Sequence, residues 1–214
     1  MIKEISQYFS VRIKRRQLNL HIKSNQSEIK GWFDAEKLET ILLNLLSNAI
    51  KHTPDQGSIK VIINCHAPDE AIEKFNQYIK PANKKSRYLE LKVIDYGSGI
   101  PPADIPYIFD KFYQAKDSGK KQKNGTGIGL TLAKGHTELH HGHIMVESQP
   151  GQETSFSVLI PIDRNIYTSE EINDQSGPII ENNTLHKNPE PTPVSDHHDD
   201  PMDDAGEKPE ILIV

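Results

Sequence analysis

Cys65 is the only cysteine in the 214 residues, and Trp32 the only tryptophan. A single thiol excludes an intramolecular disulfide framework and makes a reducing, cytoplasmic compartment the default expectation. Long apolar runs are missing too. No stretch approaches the roughly 20 apolar residues that cross a bilayer, and residues 1–30 lack a signal-peptide layout. Hydrophobic residues reach only 35%, and 14 prolines are more than one compact core of this length wants. An ordered body with a polar appendage is the expectation.

Charge is unevenly spread. The chain carries −5, yet residues 165–210 hold twelve Asp/Glu against two Lys/Arg, which leaves residues 1–164 at +5. A mildly basic body argues against a nucleic-acid binder, which needs a dense basic patch, and suits a small anionic ligand.

Apolar spacing predicts a helix over 2–16, carried by Ile2, Ile5, Phe9 and Ile13. Residues 17–23 alternate like a strand, and 28–33 are expected to pair with them as a hairpin. Asp34 is the expected N-cap of a helix ending near His52, because Pro54 disfavours helical geometry before it. Strands follow at 58–65 and 88–95, separated by a partly helical insertion (66–87) to which the sequence assigns no role. A short helix is expected around 103–109, then a polar, mobile stretch at 115–124. A helix ending near His140 and strands at 143–149 and 153–160 close the body. From Pro161 onward the composition predicts disorder, until an abrupt ILIV ends the chain.

The helix over 34–52 carries two kinds of residue. Leu38, Ile41, Leu42, Leu45, Leu46, Ala49 and Ile50 form a core stripe, while Asn44, Asn48 and Lys51 stack on another face. Asparagine is a poor helix former, so two on one stripe ask for a reason. An amide oxygen is a neutral hard ligand suited to Mg²⁺, and an ammonium one turn away suits phosphate. Residues 95–100, DYGSGI, follow directly on an apolar strand. There Asp95 is placed to accept from an exocyclic amine such as adenine's, and Gly97 and Gly99 permit a tight turn. GTGIGL (125–130) sets three glycines before a helix, where backbone N–H groups and the helix N-terminus favour phosphate. It is not the P-loop GxxxxGK[ST], which is absent, nor the dinucleotide fingerprint.

In order along the chain, these are Asn44-x-x-x-Asn48-Ala-x-Lys51, Asp95-x-Gly97-x-Gly99-Ile100, Ile108-Phe109-Asp110-x-Phe112 and Gly125-Thr126-Gly127-Ile128-Gly129-Leu130. The set resembles the N, G1, F and G2 boxes in the ATP-binding catalytic domain of two-component sensor histidine kinases, from about residue 10 to Pro161. The resemblance implies a two-layer α/β sandwich, a mixed sheet covered by three helices, with ATP and Mg²⁺ as cofactors. Asn48 would then ligate Mg²⁺, Asn44 support metal or phosphates, Lys51 contact phosphate and Asp95 read the adenine amine. Gly97, Gly99 and Ile100 would shape the base pocket. Gly125, Thr126, Gly127, Gly129 and Leu130 would belong to a lid hinge, with residues 111–124 as the lid and Phe109 and Phe112 packing at its base. Asn124, His141 and Glu153 stand where glycine is frequent in that family.

By the same resemblance, residues 1–16 end a dimerisation-domain helix and 17–162 form the catalytic domain. Residues 163–210 form an acidic disordered linker, and 211–214 begin a truncated receiver domain, as in a hybrid kinase. The γ-phosphate of ATP would pass to a histidine on the upstream dimerisation domain, which these residues lack, then to a response-regulator receiver. No nucleic acid and no direct membrane contact are expected. The fragment would be a monomeric cytoplasmic piece of an inner-membrane sensor. ATP-hydrolysing machines of the same fold place Glu where Asn44 stands, as base for water; that class and a non-catalytic nucleotide-binding interaction module remain the alternatives. His136 and His140 have zinc-compatible i, i+4 spacing, but no third ligand accompanies them at a recognisable distance.

Overall fold

The computed structural model describes residues 2–114, 126–172 and 210–213. The chain divides into two compact units, residues 1–166 with 209–214, and residues 167–208. The larger contains α1 (Ile2–Arg15), β1 (Asn19–Ser24), β2 (Glu28–Gly31), α2 (Ala35–His52), β3 (Ser58–His66) and α3 (Pro68–Phe75). After these come β4 (Tyr88–Asp95), α4 (Gly129–Leu139), β5 (His143–Gln149), β6 (Glu153–Pro161) and β7 (Glu210–Ile213). In the smaller, the Thr168 N–H donates to Glu171 Oε2 at 2.8 Å and the Glu171 N–H returns to Thr168 Oγ1. No helix among the described residues is long and apolar enough to cross a membrane.

Five strands form one mixed sheet in the order β1-β3-β4-β6-β5, with β1 parallel to β3 and the other neighbours antiparallel. One face is the main core. The predicted α2 stripe, Leu38 through Ile50, is 2% exposed or less, and meets Ile59, Val61, Ile63, Leu89, Leu91, Val93, Phe156, Val158 and Ile160. Ile5 and Phe9 of α1 and Ala133 of α4 complete the layer, so three helices cover this face.

Asp34 caps α2 by accepting from the Lys37 N–H at 2.9 Å. It is also clamped from outside. His140, just past α4, donates from Nδ1 to the His136 carbonyl at 2.7 Å, and its Nε2 accepts the Asp34 N–H at 3.0 Å. That pair of roles requires the neutral ring. His140 is therefore a structural link between two helices, and the described residues hold no cluster able to bind a metal through His, Cys, Asp or Glu.

The 66–87 insertion has a packing role. Ala71 and Phe75 of α3, with Ile79, cluster on Tyr88, Leu159 and Met145. Tyr88 adjoins core-facing Leu89 and Leu159 adjoins Val158, so successive side chains place this cluster on the reverse of the sheet. Beside it the buried pair His66 Nε2 and Glu90 Oε2 lies 2.8 Å apart, and Asn64 donates to the same carboxylate. Burial raises the Glu90 pKa, but the His66 and Asn64 bonds outweigh it and hold the carboxyl below its ordinary value.

Three expectations need correction. The hairpin of 17–23 with 28–33 does not form: β1 runs parallel to β3 across the α2 crossover, and β2 pairs antiparallel with β7. Asn25 diverts the chain, its side chain exchanging hydrogen bonds with Cys65 backbone at 2.9 and 3.0 Å, so the strand exits along β3 instead of folding back. The helix around 103–109 is a 3-10 turn at Ile105–Tyr107, in a segment where Pro101, Pro102 and Pro106 remove backbone donors. Order also continues beyond Pro161. Ile162 is fully buried, Asp163 pairs with Arg87 at 2.7 Å, and Arg164 lies over the Trp32 ring. His141, where the family favours glycine, has φ +55°.

Leu45→Ala should lower unfolding free energy by about 2–5 kcal/mol in urea denaturation, the range for a fully buried leucine. The His140 link predicts a pH dependence. Burial depresses its pKa, against smaller opposing pulls from the His136 carbonyl and Asp34. A depressed folded value means that the unfolded chain binds the extra proton. This contribution is complete above the unfolded value of about 6.5 and is lost as pH falls through the lower folded value. The wild-type urea midpoint should fall more steeply below about pH 6.5 than that of His140→Gln, whose amide does not titrate; equal slopes would remove His140 from the account.

Candidate functional site

The side of α2 turned from the core carries Asn44, Asn48 and Lys51, all half-buried. Asn44 Nδ2 donates to the Thr40 carbonyl at 2.8 Å. Its Oδ1 lies where a Cβ on Gly129 would come within 2.8 Å, so the first residue of α4 sits directly on the amide. Only glycine allows that approach without displacing Asn44. The α4 N-terminus has Ile128 as N-cap with no side-chain cap.

The far end of α2 meets the loop after β4. A Cβ on Gly97 would lie 2.5 Å from the His52 carbonyl oxygen and 2.6 Å from Asp95 Oδ1. Asp95 ends β4, pairs in register with Ile59 and Thr154, and is 2% exposed. Gly99 has φ +68°, and a Cβ there would collide with the Gln149 carbonyl. Ile100, half-buried against the core, donates its N–H to Ser148 Oγ at 2.8 Å. The Gly151 N–H reaches the Ser98 carbonyl at 2.7 Å. The loop is thus stitched to the β5–β6 turn.

The other two motifs meet each other. The Phe112 N–H donates to the Gly127 carbonyl at 2.9 Å, and Gly127, at φ +69°, has no room for a Cβ against the Phe112 backbone. Thr131 Oγ1 donates to the Phe109 carbonyl at 2.8 Å. Phe109 packs edge-on to Phe156, with centroids 6.3 Å apart, and Leu130 joins the core beside it. Phe112 differs from expectation. Its ring is 70% exposed and its backbone, at φ +65°, makes the contact. Thr126 is exposed, while Gly125 and most of the expected lid lie outside the described residues.

Three of the four motifs therefore have contacts running to or from α2: the amides at its centre, Asp95 with its glycine loop at one end, and the α4 N-terminus against Asn44. The fourth braces α4. This geometry offers a buried carboxylate as acceptor, neutral amides for a hard cation, an ammonium, and a helix N-terminus that favours an anion. Sequence reasoning passed over Ser148 and Thr131, whose hydroxyls hold the loops, and Arg16, which holds the last turn of α2. A hydroxyl bonding backbone leaves no periodic trace; only its place opposite a glycine loop hints at it.

Residues 33–164 match the family of histidine kinase-, DNA gyrase B- and HSP90-like ATPases. The sensor histidine kinase TmoS of Ectopseudomonas mendocina is 34% identical over 192 residues, 85% of this chain and 17% of that protein. The circadian input-output histidine kinase CikA of Synechococcus elongatus is 37% identical over 150 residues, covering 70% of this chain and 17% of CikA. The chain thus spans about a sixth of the length of these relatives. The catalytic domain of histidine kinase ThkA, in a nucleotide-free form, has the same fold at a TM-score of 0.58 and 21% identity, covering 76% of this chain and 92% of that one. Matched over residues 33–164 and sharing the fold of a histidine kinase catalytic domain, the chain belongs to the histidine kinase-, DNA gyrase B- and HSP90-like ATPase family.

Proposed function

We propose that this domain binds Mg-ATP along the polar side of α2 and presents its γ-phosphate to a histidine on a separate helical dimerisation domain. From there the phosphoryl group passes to an aspartate of a receiver domain. The supporting observation is the convergence around α2, with Gly97 against the His52 carbonyl and Gly129 against Asn44. It brings a buried carboxylate to one end and a helix N-terminus without a side-chain cap to the middle of a row of amides.

Asp95 accepts from the adenine amine, and its burial makes a base without that donor costly. Gly97, Gly99 and Ile100 shape the base pocket. The N–H groups opening α4 and the Lys51 ammonium hold the phosphates, favoured by the helix dipole. The amide oxygens of Asn44 and Asn48 suit Mg²⁺, a cation that prefers oxygen ligands, and Asn48 is the assigned ligand. When bound, the ion would neutralise charge developing on the phosphates. The chain's own residues position and neutralise, which is most of what phosphoryl transfer asks of protein. We further propose a hybrid parent with a membrane-anchored sensor.

Asn48→Asp should weaken Mg-ATP binding about tenfold in calorimetry, the scale of one charge-assisted contact, by adding negative charge beside the triphosphate. Unchanged affinity would strip Asn48 of its role. Mixed with ATP and its upstream helical domain, the protein should form acid-labile phosphohistidine on that domain; ATP binding without transfer would leave a nucleotide-binding module only.

A further inference from the structure

Pro54 creates a vacancy in α2. The Ile50 carbonyl would normally receive the N–H four residues on, but proline has none. Arg16 fills it. Its Nη1 donates to the Ile50 carbonyl, its Nη2 to the Thr53 carbonyl at 2.6 Å, and its Nε to Asp55 Oδ1 at 2.6 Å. The corner around it is knitted as well: the Gln56 N–H reaches the Arg16 carbonyl at 2.9 Å, and the Asn19 N–H the Gly57 carbonyl at 2.9 Å. The guanidinium therefore ties the α1–β1 corner to the last turn of α2, where a cation also suits the helix dipole.

The two carbonyls held by Arg16 bracket Lys51 and His52. The His52 carbonyl is the group against which Gly97 packs with no room for a Cβ, and the same missing Cβ would touch Asp95 Oδ1. A shift of a few tenths of an ångström in the 50–53 backbone must move the glycine loop and the carboxylate beside it. We infer that Arg16 is a positioning residue that sets the adenine-reading end of the pocket by fixing the last turn of α2, and so links the orientation of α1 to base recognition.

The inference rests on the proposed ATP site, and its test separates the two. Inosine triphosphate shares the sugar and triphosphate of ATP but replaces the 6-amino donor with a carbonyl. In competition binding, the wild type should prefer ATP clearly. Arg16→Gln should narrow that preference about fivefold to tenfold, the scale of one ordinary hydrogen bond. Arg16→Lys, which restores one donor, should recover part of it. Asp55→Ala, which loosens the guanidinium through an exposed residue and leaves the helix carbonyls paired, should narrow it less. A merely structural role would lower both affinities alike and leave the ratio unmoved. A wild-type ratio retained in Arg16→Gln and Asp55→Ala would overturn the inference; a wild type indifferent to the 6-amino group would overturn the ATP reading and the inference with it.

Discussion

The rotation of α2 about its own axis is the constraint on which the site depends. Seven apolar residues, each 2% exposed or less, fix that rotation against the sheet. At 3.6 residues per turn, fixing the stripe through Leu38, Ile41 and Leu45 leaves Asn44, Asn48 and Lys51 one direction to face. Asn44 and Asn48 are then not held in place by an elaborate polar network. They are held by leucines. The packing and the proposed nucleotide contacts lie on different sides of one helix, and the second costs the first only the weak helix propensity of asparagine.

The remaining parts reach α2 through missing side chains. Gly97 at the His52 carbonyl and Gly129 at the Asn44 amide are approaches that a single methyl group would block. Gly99 and Gly127 also need positive φ, which glycine adopts without strain. Such close approach lets segments distant in sequence meet along α2. Ser148 and Thr131 then bond the loops from behind, so each is braced on the side away from α2.

Much of this was legible in sequence because it follows a period or a motif. The stripe of α2, the strands Tyr88–Asp95 and His143–Gln149 and the Asp34 cap emerge as spacing predicts. Pairing was not legible. Alternation marks 17–23 as a strand, observed at Asn19–Ser24, but says nothing of its neighbour, and a parallel partner reached across a helix competes evenly with a short hairpin until Asn25 bonds to Cys65. The exposure of Phe112 was equally hidden, since motif resemblance carries a residue type and not the φ of +65° that turns its ring outward. Arg16 stands in the sequence only as the last residue of the helix predicted over 2–16, and its three acceptors distinguish it.

The amide at Asn44 also bears on which chemistry this fold serves. Its Nδ2 is committed to the Thr40 carbonyl, so the group facing Gly129 is a neutral oxygen. A hydrolase needs a base there to take a proton from water, and an amide has no useful basicity. A neutral imidazole is different. Its ring nitrogen already carries a lone pair, and attack on phosphorus requires no proton to be removed beforehand. In the proposed reaction, an amide at this position therefore favours a nitrogen nucleophile arriving from outside over water.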